Sequence, residues 1–151
     1  MFLISFIDGP LEYPDDDPTL PAAPGKLQLG HWTEDFLANL FLWKKLEYES
    51  HWRNELRSLV AGAAKVALVV SYNAPGADSN MEIWRVYRDG EWARFQNQLL
   101  PYSALPRDFA MSRLNDCIAD RRILNDDGQR ISEWGVHLRD IETFLTSYGT
   151  A

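Results

Sequence analysis

The pair Asp89-Gly90 constrains the fold of this chain more than any other feature. It separates two runs in which apolar and polar residues alternate, Met81–Arg88 and Glu91–Leu99. Asp-Gly between two such runs is one of the strongest sequence signals for a β-hairpin with a two-residue turn. The pair therefore predicts an antiparallel sheet with this hairpin at its centre.

A two-residue turn at Asp89-Gly90 also predicts the register of the hairpin. Trp84 faces Phe95 on the side that we assign to the core. On the opposite side Arg85 faces Arg94, and two like charges in direct opposition are unfavourable unless an acidic group lies nearby. We expect the chain itself, rather than a partner, to provide that acidic group.

The spacing of apolar residues predicts the other elements. Strands are predicted over Met1–Ile7, Lys26–Trp32, Glu34–Leu42 and Lys65–Tyr72, and helices over Lys44–Val60, Arg107–Arg122 and Ser132–Tyr148. This order predicts an α+β fold, in which residues 1–151 form a single domain whose mostly antiparallel β-sheet, with the central β-hairpin, carries about three helices. Trp52, Trp84 and Trp134 lie at periodic apolar positions and are predicted to be buried.

Residues 9–25 interrupt the pattern of strands. Five of the eight prolines fall between Gly9 and Gly25, and the consecutive acids Asp15, Asp16 and Asp17 lie in the middle. Proline removes backbone donors, and neighbouring carboxylates repel one another. We therefore predict a Pro/Asp-rich surface loop. Such acidic loops are more often solvated than bound to a partner, and both interpretations stay open here.

The charge of the chain limits the class of its partner. Fifteen basic and 22 acidic residues give a formal net charge of −7. Proteins that bind nucleic acid hold its phosphates with an excess of basic side chains. Aromatic side chains on a sheet can stack on bases, but the periodic tryptophans fit a core better. The composition therefore predicts no nucleic-acid partner and favours a basic protein partner.

Sequence motifs for catalysis and cofactor binding are absent. The chain has no GxGxxG, GxxxxGK[ST] or GxSxG motif. Its histidines, His31, His51 and His137, lack the spacing of metal ligands, and the single cysteine, Cys117, excludes a disulfide or a cysteine-rich zinc site within one chain. We therefore predict a protein that is not an enzyme and needs no cofactor or metal.

The apolar N-terminal run Met1–Ile7 does not predict a targeting segment. No basic residue precedes it, and Asp8, Gly9 and Pro10 end it after seven positions. A secretory signal starts with positive charge and has a longer apolar stretch, and a membrane span needs about 20 apolar residues. We therefore expect a cytoplasmic protein that has no membrane partner.

Three segments resemble one known family. They are Gly25–Trp43, Met81–Pro101 with its Asp-Gly hairpin, and Asp127–Phe144, in which Asp-Gly-x-x-Ile-Ser-Glu-Trp is the most distinctive element. Together they resemble the immunity proteins of bacterial contact-dependent growth inhibition (CDI) systems, in the branch that neutralises nuclease toxins. The resemblance extends over nearly the whole chain. It is poor in the Asn73–Asn80 loop and in the acidic N-terminal loop.

The resemblance implies an immunity protein that binds and neutralises the toxic C-terminal nuclease domain of its cognate CDI protein. In relatives the toxin can extend a β-hairpin that joins the sheet of the immunity protein. The candidate partner-binding residues lie in poorly matching or exposed segments: Asp15, Asp16, Asp17, Asp78 and Glu82. Glu133 lies in the shared motif and is predicted to be structural. An acidic adaptor or regulatory module with another partner is the alternative, followed by an enzyme with a dispersed site.

Overall fold

The computed structural model describes residues 1–73 and 79–148. Within those residues the strands form two antiparallel sheets. The first sheet has the order β1-β2-β3 and consists of β1 (Phe2–Phe6), β2 (Ala22–Leu29) and β3 (Trp32–Asn39). The second has the order β4-β5-β6-β7 and consists of β4 (Lys65–Tyr72), β5 (Asn80–Asp89), β6 (Trp92–Pro101) and β7 (Trp134–His137). The α-helices are α1 (Lys45–Ala61) and α2 (Leu138–Tyr148). The predicted α+β class with a central antiparallel hairpin is confirmed.

The hairpin forms, but its turn lies one residue further along the chain than predicted. Asp89 pairs with Trp92, so Gly90 and Glu91 are the turn residues. Gly90 has a φ of 60°, a left-handed conformation that glycine adopts without a Cβ clash. Asp89 stays in the strand, where its Oδ2 accepts a hydrogen bond of 3.1 Å from Arg94 Nε. The chain itself thus provides an acidic group beside Arg94, as predicted.

The predicted register of the hairpin is therefore wrong by two residues. Trp84 is opposite Asn97 rather than Phe95, and Arg85 is opposite Gln96, whose Oε1 accepts a hydrogen bond of 2.9 Å from Arg85 Nη2. Because side chains alternate with a period of two, a shift of two residues leaves every side chain on its predicted face. Trp84 and Phe95 are accordingly both buried.

One hydrophobic cluster joins both sheets and both α-helices. Trp52 of α1 and Trp84 of β5 are among its largest fully buried side chains, which confirms the prediction for these two residues. The prediction of burial is wrong for Trp134, which is half-buried and packs at the border of the cluster. Its ring stacks on that of Trp32 at a centroid distance of 5.0 Å and meets Trp84 edge-on at 5.7 Å.

The helix predicted over Arg107–Arg122 is not formed. Within this range the structure has a 3-10 helix, Met111–Cys117, between irregular segments. The segment instead lies against the second sheet and is bound by side chains of that sheet. Tyr87 Oη donates a hydrogen bond of 2.7 Å to the carbonyl of Ala119, so a backbone group that a helix would use internally is bound by a side chain of the sheet.

The last predicted helix, Ser132–Tyr148, begins only at Leu138. Residues Trp134–His137 form β7 and pair with β6, with Val136 opposite Ala93. The helical period predicted for these four residues is therefore wrong. The pairing with β6, which is distant in sequence, decides between strand and helix here.

The irregular N-terminal loop is shorter than the predicted range of 9–25. Ala22–Gly25 belong to β2, where Ala22 and Ala23 are buried. Pro24 is tolerated in this strand because it lies just beyond the end of β1, where its carbonyl accepts a hydrogen bond of 2.9 Å from the N–H of Ile7. A Cβ on Gly25 would lie 2.2 Å from the Phe36 ring, so any side chain at this cross-strand position would require that buried ring to move.

Candidate functional site

The outer edge of β4 is closed by side chains. Asn115 Oδ1 accepts a hydrogen bond of 2.8 Å from the N–H of Ala67, and His51 Nε2 accepts one of 2.9 Å from the N–H of Val69. Trp52 Nε1 donates a bond of 2.7 Å to the carbonyl of Val69. An unpaired strand edge is a template for a further strand. At β4 these three backbone groups, which such a strand would use, are already bound.

His51 can accept this hydrogen bond because its ring is neutral. Burial lowers the pKa of its imidazole to about 4, and a hydrogen bond with the backbone of Ala67 acts in the opposite direction. A neutral ring has one nitrogen without a proton, and the hydrogen bond from the N–H of Val69 assigns this acceptor to Nε2. The ring also lies 5.1 Å from that of Trp43, centroid to centroid.

A groove of about 480 Å³ lies outside this closed edge, between α1 and the 3-10 helix Met111–Cys117. We call it the α1 groove. Its walls include Trp43, Leu46, Glu47, His51, Glu55 and Met111. None of the described residues that line it is Lys or Arg. Glu55 is held in place by a hydrogen bond of 2.7 Å from Asn115 Nδ2 to its Oε2.

Sequence reasoning missed the α1 groove because Leu46 and Glu47 lie outside the apolar stripe that identified the helix. The available signal was the apolar run Phe41-Leu42 followed by Leu46. These side chains are 54%, 37% and 76% exposed, respectively, so they are not used in the core. Of the three, Leu46 lines the α1 groove, and Phe41 and Leu42 precede it in the chain.

The predicted acidic candidates Asp15, Asp16 and Asp17 lie in and beside the 3-10 helix Pro14–Asp16. Asp15 and Asp16 are exposed and have φ values of 60° and 54°. Asp17 stabilises the turn that follows, because its Oδ1 accepts hydrogen bonds from the hydroxyl (2.7 Å) and the N–H (2.9 Å) of Thr19. These bonds hold the pKa of the Asp17 carboxyl below its ordinary value.

Ser71 lies near both the acidic turn and Glu82. A cavity of about 190 Å³ is lined by Asp15, Asn39 and Ser71, and Ser71 is the cross-strand partner of Glu82. The structure therefore brings Asp15 and Glu82 into the same region at the end of β4. The fifth candidate, Asp78, lies outside the described residues.

Glu82 itself is half-buried in β5. Burial raises the pKa of its carboxyl, a hydrogen bond with the Asn97 side chain lowers it, and the neighbouring charge of Glu34 raises it. Glu82 thus lies beside a second acidic side chain, from the other sheet. A positively charged group of a partner would relieve the repulsion between the two.

Glu133, in the distinctive sequence motif, connects the irregular segment before β7 to the sheet. It accepts hydrogen bonds of 2.9 and 2.6 Å from Arg121 Nε and Nη2 and one of 2.7 Å from Gln96 Nε2. The hydrogen bonds from Arg121 hold the pKa of the Glu133 carboxyl below its ordinary value. The predicted structural role of this residue agrees with these contacts.

Replacement of Glu133 with alanine is expected to lower the free energy of unfolding by about 1.5–3 kcal/mol, because Arg121 and Gln96 each lose a charged acceptor and keep only Asp89 and the Arg122 carbonyl, respectively. Glu133→Gln keeps an acceptor and should lose less. Urea denaturation at neutral pH measures both values. If Glu133→Ala were as stable as the wild type, Glu133 would not stabilise the irregular segment before β7.

Two kinds of feature are absent from the part of the chain that the structure describes. No group of three or more His, Cys, Asp or Glu side chains there could hold a metal ion. Among the same residues, no helix combines the length and the apolar character that a membrane crossing requires.

Comparison with known proteins identifies the family. The CdiI N-terminal domain family matches residues 38–144. The chain belongs to this family. The matched range includes the residues of the α1 groove and Glu82, whereas the acidic turn at Asp15–Asp17 precedes it.

Two further similarities concern proteins of Enterobacter cloacae. The chain is 24% identical to the immunity protein CdiI of E. cloacae subsp. cloacae over 124 residues, which cover 82% of this chain and 85% of that protein. It also matches a chain of the solved CdiA-CT/CdiI toxin and immunity complex from E. cloacae, with a TM-score of 0.87, 23% identity and full coverage of both chains. The resemblance to CDI immunity proteins seen in the sequence is thereby confirmed.

Proposed function

We propose that this chain is an immunity protein that binds and neutralises the toxic C-terminal domain of its cognate CDI protein. The observation that carries this proposal is membership of the CdiI N-terminal domain family. The similarity to a protein named immunity protein CdiI, over most of both chains, supports it. Neutralisation by such a protein requires tight stoichiometric binding and no turnover.

We further propose that the toxin is a basic nuclease and that binding takes place in the cytoplasm. Enzymes that act on nucleic acid hold phosphates with basic side chains. A partner with a net charge of −7 attracts such a surface at long range and raises the rate of association. The same charge repels nucleic acid from the immunity protein itself.

The proposed contact region is the acidic end of β4, formed by Asp15, Asp16 and Glu82, with Asp17 and Asp78 near them in the chain. The charge of this region supports the proposal, since a basic toxin surface would be attracted to it. The closed edge of β4 is relevant to the mode of binding. A toxin hairpin could join β4 only after Asn115 and His51 had been displaced.

Co-expression with the toxin domain encoded next to this protein tests the proposal directly. A tagged immunity protein should retain the toxin domain in a pull-down at a ratio of one to one, and the toxin's nuclease activity should fall in proportion to the immunity protein added. Failure to bind and to protect would overturn the immunity function and favour the adaptor alternative. Binding and protection without any nuclease activity of the free toxin would overturn the nuclease assignment alone.

Neutralising the acidic turn should slow toxin binding. Asp15→Asn/Asp16→Asn is suitable because asparagine tolerates a positive φ. We expect the association rate to fall by about 3- to 10-fold at low salt, with the difference shrinking at high salt as the charges are screened. Stopped-flow association kinetics measure both effects.

The exposed pair Asp126 and Asp127 provides the matched control. Asp126→Asn/Asp127→Asn removes the same amount of charge from another turn and should slow association less. An equal effect of the two double variants would show that only the net charge matters. No effect of either would remove the acidic turn from the binding site.

A further inference from the structure

We propose that the toxin domain docks in the α1 groove through basic side chains placed beside the carboxylates of Glu47 and Glu55, with an apolar side chain beside Leu46. This inference rests on the proposed function and adds a second contact surface, with its chemistry of recognition. It concerns a surface that the acidic turn and Glu82 do not include. The proposal follows from the charge of the groove, its exposed apolar rim and the closed strand edge beneath it.

The carboxylates of the α1 groove are available to a partner. Glu47 forms no ion pair or hydrogen bond through its side chain among the described residues. Glu55 uses Oε2 to accept the hydrogen bond from Asn115, so its carboxylate has a fixed position and a second oxygen that is open to a donor. Because the groove's described lining contains no Lys or Arg, a basic partner side chain would bring a positive charge that this lining lacks.

The distance between the two glutamates predicts how far apart the basic residues of the partner segment lie. Glu47 and Glu55 are eight residues apart on α1, which corresponds to about 12 Å along the helix axis. An extended partner segment with basic residues four positions apart spans about 13 Å. Such a segment could place one Lys or Arg side chain beside each glutamate, with its central residues over Ser50 and Asn54 of the groove.

The apolar rim supplies the second part of the recognition. Leu46 is 76% exposed at one end of the groove, and Phe41 and Leu42, also exposed, precede it in the chain. Trp43 forms part of the wall, where its ring lies 5.1 Å from that of His51, centroid to centroid. Apolar and aromatic groups at the centre of an interface provide most of its affinity, and charges mainly set orientation and rate.

Recognition in this groove uses side chains rather than strand addition. Two of the side chains that close β4 also belong to the groove or contact it. His51 binds the strand and lines the groove, and Asn115 binds the groove residue Glu55. A partner on α1 therefore meets the imidazole and the carboxylates, whereas the backbone of β4 stays covered. The affinity of such a partner therefore depends on the side chains of Leu46 and Glu47.

Leu46→Ser and Glu47→Lys test the proposal, with Glu142→Lys as the matched control. Glu142 is also an exposed helical glutamate, but it lies on α2 outside the groove, so this variant repeats the charge change elsewhere. Affinity for the toxin domain is measured by calorimetry at low and high salt, after circular dichroism has shown that each variant is folded. The cell-protection assay is run in parallel.

We expect Leu46→Ser and Glu47→Lys each to weaken toxin binding by about 10-fold or more, and Glu142→Lys to weaken it by less than about 3-fold. The Glu47→Lys effect should shrink with salt, and the Leu46→Ser effect should not. Wild-type affinity of both groove variants, with toxin still bound by the wild type, would overturn the groove and leave the immunity function intact. A wild type that binds no toxin would overturn the function itself, and the groove proposal with it.

Discussion

Replacing Trp52 with alanine is expected to lower the free energy of unfolding by about 3–5 kcal/mol, the usual cost of removing a large aromatic side chain from a core. Trp52 is 1% exposed and contacts Phe6 and Phe36, which lie on strands of the first sheet, at centroid distances of 5.1 and 5.6 Å. Its indole also binds the carbonyl of Val69 in the second sheet. One residue of α1 thus joins both sheets, so its loss leaves a cavity where they meet.

Trp52→Phe separates the two contributions. Phenylalanine keeps much of the apolar volume but has no donor for Val69, so we expect a smaller loss, with about 1–3 kcal/mol from the unsatisfied carbonyl and the remainder from packing. Denaturation by urea, followed by circular dichroism, gives the free energy of each variant. A loss of under about 1 kcal/mol in Trp52→Ala would contradict the central position assigned to this residue.

Lowering the pH from about 7 to about 4 is expected to remove about 3 kcal/mol of stability through His51 alone, since one pKa unit corresponds to about 1.4 kcal/mol. The pKa of this histidine is about 4 in the folded protein, below the ordinary value of 6.5. Well above pH 6.5 the ring is neutral in both states and its contribution is complete. Below that value the unfolded chain takes up a proton that the folded protein rejects, so stability falls as the pH falls toward the folded-state pKa of about 4.

His51→Gln removes this titration and serves as the comparison for the wild type. Between about pH 6.5 and about pH 5 the wild type should lose about 1.6 kcal/mol more than the variant does. NMR titration of the His51 ring measures the pKa in the folded protein directly. A titration midpoint near the ordinary value of 6.5 would show that the ring is not held neutral against β4.

The sequence determined which segments could form strands and which faces they would bury. The run of β-branched and apolar residues predicted Lys65–Tyr72 with the observed bounds, and alternating residues identified the hairpin strands and their buried faces. These features depend on neighbours in the chain, where the period of the side chains decides what can be buried. The first helix was predicted for the same reason, because its apolar stripe recurs at helical spacing over several turns.

Contacts between distant residues decided the features that were predicted wrongly. Asp89 stays in its strand because Arg94 and Arg121 hold its carboxylate, which moved the turn by one residue. Residues 134–137 became a strand through pairing with β6. The 107–122 segment is largely irregular, and the sheet's own side chains bind its backbone. Most of these partners lie outside the window over which a periodicity can be counted.

The candidate site was determined by the sequence only in part. Net charge and family resemblance indicated an acidic surface for a basic partner, and Asp15 and Glu82 do lie in one region beside Ser71. The α1 groove could not be derived in this way. It exists because Asn115, in the segment after β6, binds the N–H of Ala67 and the carboxylate of Glu55, which are 48 and 60 positions away in the chain. Local periodicity reports burial within an element, whereas a groove between elements depends on how they pack.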